Sequence, residues 1–226
     1  MGRVLVVVEG PTERAALQQP DVAMQFYLSG YSIHPKVVGK PGHKGGVRSF
    51  GKVLPEILAL LKQEPHAKVT TLFDFYALPL EDWPGYPQSA TLPAAQAVAA
   101  IELGMAAAVA AALPNIRPER FVPYIQLFEF EALLFADPTA MAQVFGNPGL
   151  EPTFSGIVAQ CGGCERIDDG PTTAPSKRIQ QYFPGYIKGS GPNAHAPLIL
   201  GQIARANWPR LLAACPRFAA WLGQLV

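Results

Sequence analysis

Acidic residues directly follow the apolar segments of this 226-residue chain. Glu9 ends the aliphatic run 4–8, with Glu13 four residues later, and Asp74 ends the run 68–73. Runs of β-branched and aliphatic residues predict strands that are buried on both faces of a parallel sheet. Because ligands of α/β proteins bind outside the carboxyl ends of such strands, we expect these acids to converge at one edge of the sheet.

Two further acids follow another apolar run, residues 121–128. Glu129 and Glu131 come directly after it, and alternate positions of a strand would place both on one face. Carboxylates with few cysteines or histidines nearby suit a hard cation such as Mg²⁺ or Mn²⁺. Ions of this kind activate water and stabilise the leaving oxygen in phosphodiester cleavage. The spacing therefore predicts a metal site that acts on phosphodiesters.

A glycine-rich basic segment, residues 39–46, could contact phosphate. It carries Lys40 and Lys44 among four glycines, and Arg48 lies just beyond it. Glycines let backbone amides approach an anion, and the cations add charge. The glycine spacing matches neither a P-loop nor a dinucleotide fingerprint, and a basic surface loop fits the same residues.

A second basic group opens a predicted helix with Ser176, Lys177 and Arg178. Free amides at a helix start, together with two cations, suit a nucleic-acid phosphate, whereas solvated charges at a helix end fit equally well. Lys177 or Lys188 could also neutralise charge that develops on a phosphate during cleavage.

The overall composition gives no global sign of nucleic-acid binding. The net charge is +1 and the pI is about 7.7, so a polyanion would have to be held by a local patch. Charged residues make up only 15% of the chain and hydrophobic residues 49%. This balance predicts covered surface, through a partner or through a homo-oligomer.

The three cysteines, Cys161, Cys164 and Cys215, do not form a secreted disulfide framework, and no signal peptide precedes the first strand. We therefore expect a cytoplasmic protein. The CGGC pair has the spacing of a zinc half-site or a redox motif, but no second half-site matches it, and ordinary reduced cysteines fit the pattern.

The apolar segment 94–113 is long enough to cross a membrane. It contains Gln96 and Glu102, and alanine contributes little insertion energy. Alanine is also the best helix former and allows close approach to neighbouring backbone. A buried helix packed on a sheet, with no membrane, is the prediction.

The order of apolar runs predicts an α/β fold with a mostly parallel sheet of about four strands flanked by helices. The predicted strands are residues 4–8, 33–38, 68–73 and 121–128, and residues 49–62 form an amphipathic helix. Residues 1–136 would form the core. Residues 137–226, where short helices alternate with Pro and Gly, would form a helical extension packed on that core.

Several motifs carry a family resemblance. VVVEGPTE and TTLFDFY resemble the Toprim domain, the Rossmann-like metal-binding fold of topoisomerases, primases and overcoming-lysogenization-defect nucleases. VEGPTE, FDFYALP, PYIQLFEFEALLF and DGPTTAPSKRI more closely resemble a bacterial Toprim-like family that includes the nuclease effector of the PARIS anti-phage system. The resemblance extends over nearly the whole chain.

The resemblance implies roles for individual residues. Glu9 matches the invariant Toprim acid, a metal ligand or general acid/base, and Glu13 matches a second acid of the nuclease branch. Asp74 matches the first aspartate of the DxD motif, but Tyr76 stands at the second, and a phenol is a poor Mg²⁺ ligand. The missing oxygen would come from Glu129 or Glu131. Lys177 and Lys188 are both candidates for the phosphate-facing lysine of that branch.

The leading expectation is a Mg²⁺-dependent nuclease effector that cleaves DNA or RNA with a separate ABC-type ATPase as its partner. The alternative is a catalytically silent subunit that keeps the fold and regulates such an ATPase. Low charge, Tyr76 in place of an acid and the aromatic loop around Trp83 favour that alternative. A nucleotide-binding enzyme is a third possibility, but no phosphate fingerprint follows the first strand.

Overall fold

The computed structural model describes residues 1–39, 49–168 and 170–226. Five strands form its sheet: β1 (Gly2–Val8), β2 (Tyr31–Val37), β3 (Lys68–Asp74), β4 (Phe121–Val122) and β5 (Ile125–Gln126). The order is β2-β1-β3-β4, and β5 pairs with β3 as well. All of these pairs are parallel. The predicted α/β fold with a mostly parallel sheet is confirmed, with five strands instead of about four.

The register of the parallel pairs aligns the strand ends. Val8, the last residue of β1, lies opposite Val37 on one side and Leu72 on the other. Asp74, at the end of β3, pairs with Gln126 of β5. Glu9 therefore leaves β1 level with the final residues of β3, as the sequence predicts for an acid at the carboxyl edge.

The prediction of one strand over residues 121–128 is wrong, because Pro123 interrupts it. Proline has no backbone N–H for a sheet hydrogen bond. Next to it, the Tyr124 amide donates to Thr71 Oγ1 at 2.9 Å, and Thr71 Oγ1 donates to the Tyr124 carbonyl at 2.8 Å. Two short strands result, and the chain beyond them is a 3-10 helix, Phe130–Ala136. The expectation that both acids lie on one face of a strand is therefore also wrong.

Helices cover both faces of the sheet. They are α1 (Pro11–Leu17), α2 (Pro20–Leu28), α3 (Phe50–Gln63), α4 (Tyr86–Ser89), α5 (Ala94–Ala112), α6 (Pro138–Val144), α7 (Glu151–Cys161), α8 (Pro175–Tyr182), α9 (His195–Ala206), α10 (Trp208–Ala214) and α11 (Pro216–Leu225). Further 3-10 segments are Phe75–Ala77, Leu80–Asp82, Pro118–Arg120, Pro148–Leu150 and Cys164–Arg166. The helix predicted at 49–62 is α3.

Strand β1 is buried on both faces, so its alternate residues belong to two hydrophobic clusters. Val4, Val6 and Val8 pack in a cluster with α9, α10 and α11. Leu5 and Val7 pack on the other face with α3 and α5. The C-terminal helices therefore complete one side of the core, whereas the division of the chain at residue 136 stays a prediction.

Helix α5 packs on the sheet along one face only. Ala97, Val98, Ile101, Met105 and Val109 are buried on that face. The helix has the length and composition of a membrane span, and only 28% of its most apolar window is buried. The expectation of a buried helix packed on the sheet is confirmed for this face only, because the opposite face, rich in alanine, is exposed. The prediction of no membrane insertion stays a prediction.

Gly104 allows α5 to pass close to the Pro84–Gly85 turn. A Cβ at this position would lie 2.5 Å from the Pro84 carbonyl carbon, which is backbone and cannot rotate away. We expect Gly104→Ala to lower the free energy of unfolding by about 1–3 kcal/mol, measured by urea titration.

A matched control for this substitution is Gly156→Ala, in the exposed part of α7. A Cβ there meets nothing within 4 Å. This change is expected to stabilise the protein by about 0.5–1 kcal/mol, because alanine favours the helix. Equal effects of the two substitutions would contradict the close approach of α5 to the turn.

Candidate active site

The first two acids lie at the corner between β1 and α1. The Gly10 amide donates to Glu13 Oε2 at 2.9 Å, and Pro11 begins the helix with the fixed φ that suits its first turn. Glu9 Oε2 accepts the Asp74 amide at 3.5 Å, across to the end of β3. Glu13 is only 8% exposed, so its carboxylate belongs to the interior of this edge.

Asp74 is the central acid of the group. Its Oδ1 is buried and has no hydrogen-bond partner within the described part of the chain. Burial raises the pKa of Asp74 well above its ordinary value, and the charges of Glu13, Glu131 and Glu9 raise it further. An unsatisfied buried carboxylate oxygen costs stability, so this atom is poised to gain from a proton donor or a cation.

A backbone turn at Phe128 directs the next two acids into the same place. Phe128 has a φ of 63°, a left-handed conformation that costs a bulky residue about 1–2 kcal/mol. Its carbonyl accepts the Tyr76 amide at 3.0 Å, which ties this turn to the segment after β3. Glu129 and Glu131 follow and are 6% and 2% exposed.

Lys188 supplies positive charge to these acids. Its Nζ lies 2.9 Å from Glu131 Oε1 and 3.8 Å from Glu129 Oε1. Burial alone would lower the pKa of Lys188, but the charges of Glu131, Glu129 and Asp74 outweigh it, and the pKa is raised. The ammonium therefore stays charged and serves as a counter-ion for the acids.

Glu129 and Glu131 are held by different groups. At the start of α8, the Ser176 amide donates to Glu129 Oε2 at 2.7 Å and its hydroxyl donates to Oε1 at 3.0 Å. The Tyr186 hydroxyl donates to Glu131 Oε1 at 3.1 Å. Burial, followed by the charge of Glu131, raises the pKa of Tyr186 well above its ordinary value, so the phenol remains a donor at neutral pH.

Burial, together with repulsion from neighbouring acids, perturbs the protonation of Glu13. Burial raises the pKa of Glu13 from 4.5 to about 7, and the charges of Glu131 and Glu9 contribute in the same direction. The hydrogen bond from Gly10 works against this shift. Carboxyls with a pKa near neutrality are common at sites that carry out chemistry or bind cations.

The structure brings together the five acids that the sequence predicts for the metal site. Their charges act on one another, as the raised pKa values of Asp74 and Glu13 report. The convergence of these side chains is confirmed; their role as metal ligands stays a prediction. The acids are Glu9, Glu13, Asp74, Glu129 and Glu131.

The predicted basic and phosphate-binding residues lie in four different settings. Lys188 joins the acids, whereas Lys177 is exposed on α8 and makes no ion pair within the described residues. Arg178 donates from Nε to the Thr173 carbonyl at 2.8 Å, and the Ser176 donors are already bound to Glu129. The free amide expected at the start of α8 is therefore not free. Three predicted phosphate-binding residues lie outside the described residues: Lys40, Lys44 and Arg48.

The side chains of this site are of the type that binds a hard divalent cation, but they are not arranged as a metal site in this structure. Among the described residues, no group of three or more His, Cys, Asp or Glu side chains is arranged to hold an ion. The donor set nevertheless consists of carboxylate oxygens, and Oδ1 of Asp74 is buried with no partner in the part of the chain that the structure describes. Asp74, Glu131, Glu13 and Glu9 are the residues that would hold Mg²⁺.

The family described as Domain of unknown function (DUF4276) matches residues 8–226. The chain belongs to this family. No curated protein and no solved structure matches the chain. The matched range begins one residue before Glu9, so every acid of the candidate site and Lys188 lie inside the DUF4276 region.

The cysteines of this DUF4276 chain are not part of the acid site. Cys161, Cys164 and Cys215 are free, and Cys164 and Cys215 are buried. A thiol hydrogen bond from Cys215, which outweighs burial, lowers the pKa of Cys164. The described residues provide no further ligands that would complete a zinc site with the CGGC pair.

Two contacts of the DUF4276 site have no counterpart in the sequence patterns. Tyr186 reaches Glu131 across 55 positions of the chain, and the Gly189 amide donates to Thr12 Oγ1 at 3.0 Å. No periodicity or motif in the sequence indicates a role for Tyr186 or Gly189. The one available signal is that Tyr186 comes two residues before Lys188, in a segment that carries a candidate lysine.

Proposed function

We propose that this protein is a Mg²⁺- or Mn²⁺-dependent nuclease that cleaves phosphodiester bonds in nucleic acid. The observation that supports the proposal most is the convergence of acids around Asp74 at the carboxyl edge of the sheet, where Oδ1 of Asp74 is buried and has no hydrogen-bond partner among the described residues. Such an edge is where α/β proteins bind ligands. The Toprim resemblance of VVVEGPTE and TTLFDFY supports the same assignment.

Individual side chains have distinct tasks in this proposal. A bound Mg²⁺ would supply water activation and charge neutralisation at the leaving oxygen. Glu9, which lies at the edge between β1 and β3, holds its carboxylate against the Asp74 amide. Lys188 is 45% exposed at its side chain, so its ammonium can turn from Glu131 toward an incoming phosphate.

The biological setting is part of the proposal. The resemblance to the PARIS effector family favours an anti-phage nuclease in the cytoplasm, controlled by an ABC-type ATPase and assembled as a homo-oligomer. The exposed apolar face of α5 supports association, since Leu103 is 73% exposed there.

The test of the proposed function is cleavage by the purified protein, alone and with its ATPase. Supercoiled DNA and structured RNA would be incubated with Mg²⁺ or Mn²⁺. Glu9→Gln is expected to lower the cleavage rate about 100-fold or more, the size of effect seen when a catalytic charge is removed. Chelation of the metal should abolish the activity.

A matched control is Glu119→Gln. This acid lies in the Pro118–Arg120 segment just before β4, at the opposite end of the sheet, and pairs with the exposed Arg117 at 3.5 Å. Its substitution should leave the cleavage rate unchanged. Metal-dependent cleavage that survives Glu9→Gln would overturn the nuclease assignment.

A specific observation favours a second candidate, the catalytically silent subunit of an ATPase complex. Lys188 already neutralises Glu131, and Tyr76, which replaces an acid of the resembled motif, is 49% exposed. Calorimetry with Mn²⁺ separates the two functions. Binding that is lost in Asp74→Asn supports the nuclease, whereas an absence of binding supports the silent subunit.

A further inference from the structure

Tyr186 is fixed beside Glu131 by its surroundings. The side chain is 6% exposed, and its ring packs against Phe145 and His195, with centroids 6.4 and 5.9 Å away. The hydroxyl is then the one polar group of the side chain, and it donates to Glu131 Oε1 at 3.1 Å. These ring contacts aim the hydroxyl at a single oxygen of Glu131.

The segment that carries Tyr186, residues 183–194 between α8 and α9, is anchored directly after this residue. The His195 amide donates to the Ile187 carbonyl at 3.1 Å, and the Ile187 amide donates to His195 Nδ1 at 2.9 Å. Gly189 donates to Thr12 at the start of α1. Tyr186 therefore approaches Glu131 from a backbone that is held in place.

The two oxygens of Glu131 have different surroundings. Oε1 receives both the Tyr186 hydroxyl and the Lys188 ammonium, at 3.1 and 2.9 Å. Among the described residues, no hydrogen bond or ion pair reaches Oε2. The Glu131 carboxylate is thus held through Oε1, and Oε2 remains available.

Glu129 contrasts with this arrangement. Ser176 binds both of its oxygens, through the amide and the hydroxyl. Glu129 lies at the start of α8, and each of its two oxygens accepts a hydrogen bond from Ser176. Its contacts are those of a structural carboxylate at a helix N-terminus.

We propose that Tyr186 is a positioning residue that holds the Glu131 carboxylate so that Oε2 faces a divalent cation, while Glu129 supports α8 and is not a ligand. The inference rests on the proposed function and identifies which of the two acids faces the metal. Partners that orient a ligand are worth about 10–100-fold in metal affinity. Tyr186 falls in this class because it touches the ligand and not the ion.

The test is Mn²⁺ titration calorimetry of the full chain carrying Tyr186→Phe. This change removes one oxygen and keeps the ring contacts. We expect the Kd for Mn²⁺ to rise about ten-fold. The melting temperature without metal, measured in parallel, should change little, which separates orientation of the ligand from loss of structure.

Three further variants sharpen the result. Tyr182→Phe removes the hydroxyl of an exposed tyrosine at the end of α8 and should leave the Kd unchanged. Glu131→Gln should abolish binding, whereas Glu129→Gln should lower the melting temperature and leave the Kd nearly unchanged. This pair distinguishes ligand from support even where one variant is less stable.

The outcomes separate this inference from the proposed function. A wild-type Kd in Tyr186→Phe, with binding that still depends on Glu131, would overturn the inference and leave the nuclease assignment standing. Equal loss of binding in Glu129→Gln and Glu131→Gln would overturn the division between the two acids. Wild-type protein that binds no Mn²⁺ would overturn the proposed function and this inference together.

Discussion

Replacing Lys188 by glutamine is expected to slow metal-dependent cleavage about 100-fold or more, because the ammonium is the cation aimed at the acid site. Its Nζ lies 2.9 Å from Glu131 and its side chain is 45% exposed, so it is placed between the acids and solvent. The substitution should lower the kcat for cleavage. The Kd for Mn²⁺ should stay the same or decrease, because a competing positive charge is removed.

Lys177→Gln provides the matched control for this prediction. Both lysines follow from the sequence as candidates for the phosphate-facing role, but Lys177 lies on the exposed face of α8. Its replacement should leave kcat nearly unchanged. Melting curves of both variants establish that they are folded. A kcat for Lys188→Gln equal to that of the wild type, or an equal loss in Lys177→Gln, would contradict the assignment.

Glu13→Gln is expected to stabilise the metal-free protein at pH 8 by up to about 3 kcal/mol. The folded pKa of Glu13 is about 7, compared with 4.5 for the ordinary carboxyl. Between these values the folded state binds more protons than the unfolded state. The free energy of unfolding of the wild type therefore falls as pH rises from about 4.5 to about 7. Glutamine carries no charge and can still accept the Gly10 amide, so it avoids this loss.

The measurement is urea denaturation of both proteins at a series of pH values with a chelator present. The free energies of unfolding of the wild type and of Glu13→Gln should agree at acidic pH. They should diverge as the pH rises through the window between about 4.5 and 7. Glu119→Gln, at a surface position, should show no such separation. A constant difference across this window would contradict the buried, repelled state of Glu13. Saturating Mg²⁺ should stabilise the wild type more than the variant.

The sheet and the first acids of the site were predictable because they depend on local pattern. The aliphatic run of β1 and the run of β3 each end at a carboxylate, and parallel pairing brings such ends together. Glu9, Glu13 and Asp74 therefore follow from strand order alone. Their mutual repulsion follows from placing several acids at one edge.

The rest of the site depends on long-range contacts that no local pattern contains. Pro123 replaced one expected strand with two, so Glu131 reaches the site from a 3-10 helix and not from a strand face. Lys177 and Lys188 are equally plausible in the sequence. The two lysines are distinguished only by the course of the 183–194 segment, which brings Lys188 to the acids. The contacts of this segment with Thr12 and His195 fix its course.

The order of these residues along the chain has a consequence for synthesis. All five acids leave the ribosome before Lys188, and before α9, α10 and α11 complete the cluster around Val4, Val6 and Val8. A growing chain therefore carries the acids without their counter-ion and without one side of its core. On the proposed function, a nuclease built in this order stays inert until Lys188 and these three helices have been synthesised.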